Sequence, residues 1–126
     1  MADTIWLKRF AQHPARFPEL SPFQSVPDPG SLDQIVYRDF AALRQQRVSV
    51  DAMIITWANA LTPDQLGVTL VHANIKGVVS SKRFSSLVVH FFNHQTHHRG
   101  QATTLLSQAD VDIGSTDLLT LIPNEG

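Results

Sequence analysis

"HFFNHQTHHRG", residues 90–100, holds four of the chain's six histidines. It lies within a longer stretch, residues 80–108, whose apolar side chains recur at helical spacing. This pattern predicts a long helix over about 82–108. Gly100 interrupts the pattern, and an interior glycine costs about 1 kcal/mol relative to alanine. We therefore expect Gly100 to permit close packing of another backbone.

Two of these histidines have the spacing of a metal-binding pair. An α-helix advances about 100° per residue, so His94 and His98 lie about 40° apart and one turn along the same face. Such i, i+4 pairs supply two zinc ligands in metalloprotease helices. His90 and His97 lie near the same face, but three ligands stacked along one helix span about 12 Å, so a third must come from elsewhere. The alternative interpretation is a solvated helix face that binds no metal.

The first half of the chain predicts a short helix, a long connection and a second long helix. Residues 2–12, ADTIWLKRFAQ, have apolar side chains at helical spacing. Residues 13–30 hold five of the seven prolines, which restrict the backbone and predict an extended connection. We expect three apolar side chains of this connection to reach the core: Phe17, Leu20 and Phe23.

The sequence SLDQ at 31–34 matches a capping box. It precedes an apolar stripe with a period near 3.6, which predicts a helix over about 32–60. The stripe consists of Leu32, Ile35, Val36, Phe40, Leu43, Val50, Ile54, Trp57 and Leu61.

Shorter elements are predicted between and after the long helices. The sequence TPDQL at 62–66 predicts one turn of helix capped by Thr62, with Gln65 completing a capping box. Residues 67–80, GVTLVHANIKGVVS, alternate in polarity and are interrupted by Gly77, which predicts a small hairpin or two extended segments. Near the C-terminus we expect Ser115 or Thr116 to cap a last turn.

Composition limits the class of protein. Hydrophobic residues make up 43% and charged residues 17%, and the net charge is −1. These values predict one globular domain over 1–126 and no nucleic-acid partner, which would need a clustered basic face. The chain has no cysteine, which excludes disulfides and thiolate metal sites. No apolar run reaches membrane-spanning length and no signal peptide is evident, so we expect a cytoplasmic protein without a membrane partner.

Other polar residues are candidates for supporting roles. Arg99 is a candidate for binding an anionic substrate, although a surface salt bridge would use it equally well. Asn93 and Gln101 are candidates for hydrogen bonding to the imidazoles. Asp3 is a candidate for orienting a ligand or binding metal, and His90 is a less favoured ligand. His13 and His72 are interpreted as surface histidines, and Trp6 and Trp57 as core residues.

The histidine segment resembles a known family signature. HFFNHQTHHRGQ, with the following LL, is similar to that of the DinB-like (damage-inducible DinB) family, a four-helix-bundle metalloprotein fold. Further segments resemble, in order, the end of the family's second helix, its third helix, its short extended insert and its C-terminal segment. These are ADTIWLKRF, DFAALRQQR, GVTLVHANIKG and STDLLTLI.

The resemblance implies an all-α bundle that holds a divalent cation, often nickel or zinc, on three histidines. By motif position two of them are His94 and His98. The third comes from the family's second helix, about one turn upstream of the residue matching Asp3. The chain shows no counterpart for that histidine, for the family's first helix or for most of the second. We therefore expect an N-terminally incomplete bundle, a partly occupied metal site and an open apolar groove that favours a homodimer.

The resemblance also implies an activity. Enzymatic members of the wider group resemble thiol-cofactor-dependent transferases and isomerases, in which the metal acts as a Lewis acid. The expected function is thus a metal-dependent, thiol-linked transferase or hydrolase acting on a small molecule. The alternative from a different class is a non-catalytic helical dimerisation domain with an incomplete metal site.

Overall fold

Helices account for most of residues 1–31 and 33–125, the residues that this computed structural model describes. The five helices are α1 (Ala2–Phe10), α2 (Ser21–Gln24), α3 (Phe40–Ala60), α4 (Pro63–Leu66) and α5 (Phe84–Gln108). The strands β1 (Thr69–Ala73) and β2 (Val79–Arg83) form an antiparallel hairpin directly before α5. The structure therefore confirms the predicted helical fold with a small hairpin insert before the last long helix.

The chain divides into two compact units, Met1–Phe91 and Phe92–Gly126. The boundary lies within α5, so that one continuous helix contributes to both. The first unit contains the hydrophobic core, made of Leu7, Phe10, Ala11, Phe17, Leu20, Phe23, Val50, Ile54, Trp57, Leu70, Phe84, Leu87 and Phe91. In the second unit no residue from 92 to 125 is buried. The single-domain organisation expected from chain length stays a prediction.

Aromatic rings join the helices of the first unit. The Phe10 ring of α1 stacks on Trp57 of α3 at a centroid distance of 5.3 Å. It meets Phe84 and Phe91 of α5 edge-on at 5.2 and 5.6 Å. Such offset and edge-to-face pairs add to the free energy gained by burying the rings. Trp57 is fully buried and Trp6 packs half-buried against the core, as expected.

The proline-rich connection reaches the core as predicted but is not fully extended. Phe17, Leu20 and Phe23 are all buried. Between them the backbone forms a 3-10 turn at Pro18–Leu20 and the short helix α2. A proline lies in the first turn of each element. A backbone N–H at that position would have no partner within the helix, so the N–H that proline lacks costs no hydrogen bond. The prediction of an extended connection is therefore wrong for these two turns.

The long helix predicted over about 32–60 begins later than expected. α3 starts at Phe40, and the side chain of Asp39 caps it by accepting a hydrogen bond from the Ala42 N–H at 2.9 Å. The expected capping box at 31–34 closes a turn instead, in which the Gln34 amide oxygen accepts from the Gly30 N–H at 2.8 Å.

The apolar stripe is correspondingly buried over only part of its predicted length. Its C-terminal members Val50, Ile54 and Trp57 are buried in the core. Its earlier members are exposed: Ile35, Val36, Phe40 and Leu43. Leu32 lies outside the described residues. The isoleucine, valine and tyrosine at 35–37 are weak helix formers, so a local capping pattern ahead of them does not start the helix.

The short elements before α5 form as the sequence predicts. Thr62 and Gln65 make the reciprocal capping box at the start of α4. The hairpin pairs Thr69 with Arg83 and Ala73 with Val79. Its turn uses Gly77 at a φ of 76°, a left-handed conformation that glycine adopts without steric cost.

Two predictions about the C-terminal part are wrong in detail. Asp117, rather than Ser115 or Thr116, caps the last 3-10 turn by accepting from the Leu119 N–H at 3.0 Å. A Cβ atom placed on Gly100 would meet no described atom within 4 Å. Close packing of a second backbone is therefore not the reason for this glycine in the described chain.

Candidate metal centre

α5 brings the imidazoles of His94 and His98 together on one face. Their ring centroids lie 4.4 Å apart, with the ring planes inclined at 71°. This separation follows directly from the i, i+4 spacing on a regular helix. His94 is half-buried and His98 is exposed, so the pair lies at the surface of the second unit. Two histidines with this i, i+4 spacing on adjacent turns of one helix can supply two ligands to the same cation.

Gln101 fixes the tautomer of His98. The Gln101 Oε1 atom lies 2.7 Å from His98 Nδ1, and an amide oxygen can only accept a hydrogen bond. Nδ1 therefore carries the proton in the neutral ring, which leaves the lone pair of Nε2 for a metal ion. Metal-binding histidines in proteins are usually held by such a second hydrogen bond. In this hydrogen bond Gln101 is the acceptor rather than the expected donor, and its role beside a metal stays a prediction.

The neighbouring polar residues of α5 are less closely tied to this pair. The His97 ring lies 5.2 Å from that of His98 but is exposed on the flank of the helix. Arg99 donates a hydrogen bond to Thr96 Oγ1 at 3.3 Å, which leaves most of its donors facing solvent. Asn93 is exposed. Arg99 is the positively charged side chain nearest in sequence to the histidine pair.

Asp3 and His90 belong to the first unit, where each has its own partner. The Asp3 carboxylate forms an ion pair with Arg47, whose guanidinium also binds Asp51. The His90 ring packs edge-on against Trp6 at a centroid distance of 4.9 Å. Both residues thus have defined contacts within the first unit, and the roles at a metal considered for them stay predictions.

The donor set fits a divalent cation at two coordination positions. Over residues 1–31 and 33–125, no three side chains of histidine, aspartate or glutamate are arranged to hold one ion. Two neutral imidazoles suit Zn²⁺ or Ni²⁺ chemically. The expected third ligand has no counterpart in this part of the chain.

One of the comparisons with known proteins identifies the family of this chain. The profile of the DinB family matches residues 2–124, which is nearly the whole chain and includes the histidine pair. The chain belongs to the DinB family. Comparisons with curated proteins and with solved structures returned no match. Among the described residues of this DinB family chain, no helix has the length and apolar character needed to cross a membrane.

Two histidines that the sequence analysis assigned to the surface of this DinB chain are buried. His13 is 1% exposed and packs against the Phe17 and Phe84 rings, which also contact each other. The Ala15 N–H donates to its Nδ1, so Nε2 carries the proton and donates to the Gln65 carbonyl at 3.2 Å.

His72 is the second histidine that was assigned to the surface but is buried. It points to the buried side of β1, at 7% exposure, and its ring lies 5.7 Å from that of Trp6. Burial lowers the pKa of His72, and the positive charge of Arg9 adds to the effect. The alternating pattern of β1 indicated which residues share a face but not which face would be covered.

The first unit also contains a cavity of about 520 Å³ that sequence reasoning did not anticipate. It lies between the start of α1, residues 26–29 and 34–37, and the first half of α3. Its lining includes Asp3, Tyr37, Gln46 and Arg47 among mostly apolar side chains. None of the six histidines lines it, so the cavity and the histidine pair are separate features.

Proposed function

We propose that this DinB family protein binds a divalent cation, Zn²⁺ or Ni²⁺, through His94 and His98. The observation that carries the proposal is the paired imidazoles, one of which has its tautomer set by Gln101. A preset tautomer keeps one ring nitrogen available as a ligand and lowers the cost of orienting it.

Metal titration of three single variants tests the proposal. We expect His94→Ala and His98→Ala each to weaken Zn²⁺ binding at least tenfold, measured by calorimetry at neutral pH. His97→Ala is the matched control, because His97 is an exposed histidine on the same helix but outside the pair. Equal affinity in all three variants and the wild type would refute the assignment.

The role of Gln101 gives a finer test of the same site. Outer hydrogen-bond partners of metal ligands typically contribute about 10–100-fold in affinity. We expect Gln101→Ala to weaken binding within this range and less than His98→Ala does. Binding should also weaken as the pH is lowered, because protons compete with the metal for imidazole nitrogen. Gln108→Ala, on the same helix, provides a control for the loss of a glutamine.

Two roles for the metal are open to this arrangement. In the first, positions not filled by protein hold water and a small-molecule or thiol substrate, as in a metal-dependent transferase or hydrolase. The metal there would supply Lewis-acid chemistry, and Arg99 would bind an anionic group of the substrate. In the second, the metal supports a non-catalytic helical dimer. The exposed leucines of the second unit favour this alternative.

A further inference from the structure

The β1–β2 hairpin exposes apolar side chains in its turn and on its outer face. Four of them, which we call the hairpin patch, are 55–67% exposed: Val71, Ile75, Val78 and Val79. Valine in the strands needs no further explanation, because β-branched residues favour strand conformation. Ile75 and Val78 lie in the turn, where glycine, asparagine, aspartate, proline and serine are the usual residues. The geometry of the turn therefore does not account for these two side chains.

The hairpin presents this patch on the side away from the core. Leu70 and His72 of β1 are buried, so Val71 between them points to the opposite, exposed face. Val79 pairs with Ala73, which is two residues along from Val71, so both valines lie on the outer face. The turn that contains Ile75 and Val78 joins the strands at this same end, and the four side chains gather around it.

The backbone of the turn is hydrogen-bonded within itself. The Asn74 Oδ1 atom accepts from the Lys76 and Val78 N–H groups at 2.9 and 3.0 Å. The Gly77 N–H donates to the Asn74 carbonyl at 2.9 Å, and the Asn74 N–H donates to the Val78 carbonyl at 3.0 Å. Backbone groups without partners are costly to move into an apolar medium. Because four N–H groups are already paired, this turn can leave water at a reduced cost.

The charge around the patch is positive. Lys76 lies in the turn, Lys82 and Arg83 lie at the end of β2, and all three are exposed. The sequence has no aspartate or glutamate between Asp64 and Asp110, although the whole chain has a net charge of −1. An apolar end flanked by cations is complementary to an anionic lipid surface, which attracts lysine and arginine and accepts apolar side chains below its headgroups.

We propose that the hairpin patch docks on the surface of an anionic lipid bilayer. The side chains of the turn enter the boundary between headgroups and acyl chains, and the three cations stay beside the headgroups. The patch has only four apolar side chains, whereas a stable protein interface has about 20–30 residues on each side. A bilayer surface needs no matching shape and is therefore the better occupant.

This contact is peripheral and goes beyond the proposed metal binding. The expectation of no membrane partner considered membrane-spanning segments and signal peptides, and a peripheral contact needs neither. The patch belongs to the unit Met1–Phe91, whereas the histidine pair belongs to Phe92–Gly126. Docking on lipid therefore does not depend on a metal ion.

Vesicle binding of the full chain tests the inference. The probes are vesicles of phosphatidylcholine alone and vesicles that also contain phosphatidylglycerol, and co-sedimentation measures the binding. We expect at least about tenfold tighter binding to the anionic vesicles, because each lysine or arginine near an anionic surface adds about fivefold in affinity. Added salt should weaken this binding. No binding to the anionic vesicles, or equal binding to both kinds, would overturn the proposal.

Variants of the turn separate the apolar contact from the charge. The double variant Ile75→Ser, Val78→Ser keeps every charge, and we expect it to weaken binding to anionic vesicles at least about tenfold. Lys76→Gln should weaken the same binding about fivefold. Val48→Ser is the matched control, because Val48 is 61% exposed on α3 and lies outside the hairpin. Unchanged binding in the double variant, or an equal loss in Val48→Ser, would contradict docking through the patch.

Sedimentation equilibrium without lipid tests a second copy of the chain as the occupant. We expect the wild type and the double variant to sediment alike, because both of the replaced side chains face solvent in the absence of lipid. Self-association of the wild type that the double variant loses would assign the patch to a protein contact and overturn the bilayer as its occupant. Circular dichroism of each variant checks that the fold is unchanged.

Discussion

Three histidines show how position in the fold sets the chemistry of one residue type. His98 is exposed and keeps a nitrogen free for a metal because Gln101 accepts from the other one. His13 is enclosed and uses both ring nitrogens in hydrogen bonds to backbone groups. His72 is buried beside Trp6, where desolvation disfavours its charged form. Only the first of these arrangements leaves the ring available for binding.

The lowered pKa of His72 predicts an acid-sensitive contribution to stability. The unfolded chain binds this proton more readily than the folded one, since an exposed histidine titrates near pH 6.5. The free energy of unfolding should therefore fall as the pH drops through the unfolded value, and the loss should end below the lowered folded value.

Urea unfolding at several pH values between 7 and 5 measures this effect. We expect His72→Gln to reduce the slope of the free energy of unfolding against pH. His97→Gln, which removes an exposed histidine, should leave the slope close to that of the wild type. An unchanged slope in His72→Gln would show that burial of this ring does not govern the acid response.

At the level of elements, the chain offers two candidate caps for α3 and uses the second. Asp39 stands immediately before residues with good helix propensity, whereas Ser31 is followed by a stretch that contains β-branched and aromatic residues. A cap stabilises a helix only if the following residues adopt helical conformation, because its partners are the first backbone N–H groups. The capping box at Thr62 succeeds because Pro63 fits the first helical position directly after it.

This difference gives a paired prediction. We expect Asp39→Ala to lower the free energy of unfolding by about 1 kcal/mol, because the Ala42 N–H loses its acceptor. Ser31→Ala should change it little. Chemical denaturation followed by circular dichroism compares the two variants. A larger loss for Ser31→Ala would place the start of the helix where the sequence pattern suggested.

At the level of the whole molecule, stability is distributed unevenly between the two units. The buried core lies in Met1–Phe91, and no residue from 92 to 125 is buried. Segments with few buried apolar contacts open more readily, and their amides exchange faster with solvent.

Hydrogen exchange of the metal-free protein at low concentration measures this distribution. Backbone amides of α5 at 88–91 should exchange at least tenfold more slowly than those at 101–108. The comparison lies within a single helix, so differences in helical hydrogen bonding are small and core packing is the main variable. Uniform protection along α5 would contradict the unequal distribution of stability.

Local spacing in the sequence determined much of the candidate site. His94, His98 and Gln101 are separated by four and three positions, and helix geometry alone brings them together on one face. The same is true of the Thr62 capping box and of the hairpin around Gly77, which depend on residues a few positions apart. The family signature lies in this same local segment, so the order of its residues is sufficient to recognise it.

Only the tertiary structure decided which surfaces are covered. His13 is buried because the carbonyl of Gln65, 52 positions away, meets its Nε2. His72 is buried because Trp6 of α1 packs on the face of β1 that contains it. The start of the predicted apolar stripe, at 35–43, is exposed for a related reason. Apolar periodicity shows which face of a segment is apolar, but it does not supply the chain segment that covers this face. Burial depends on chain segments distant in sequence, and local spacing carries no information about them.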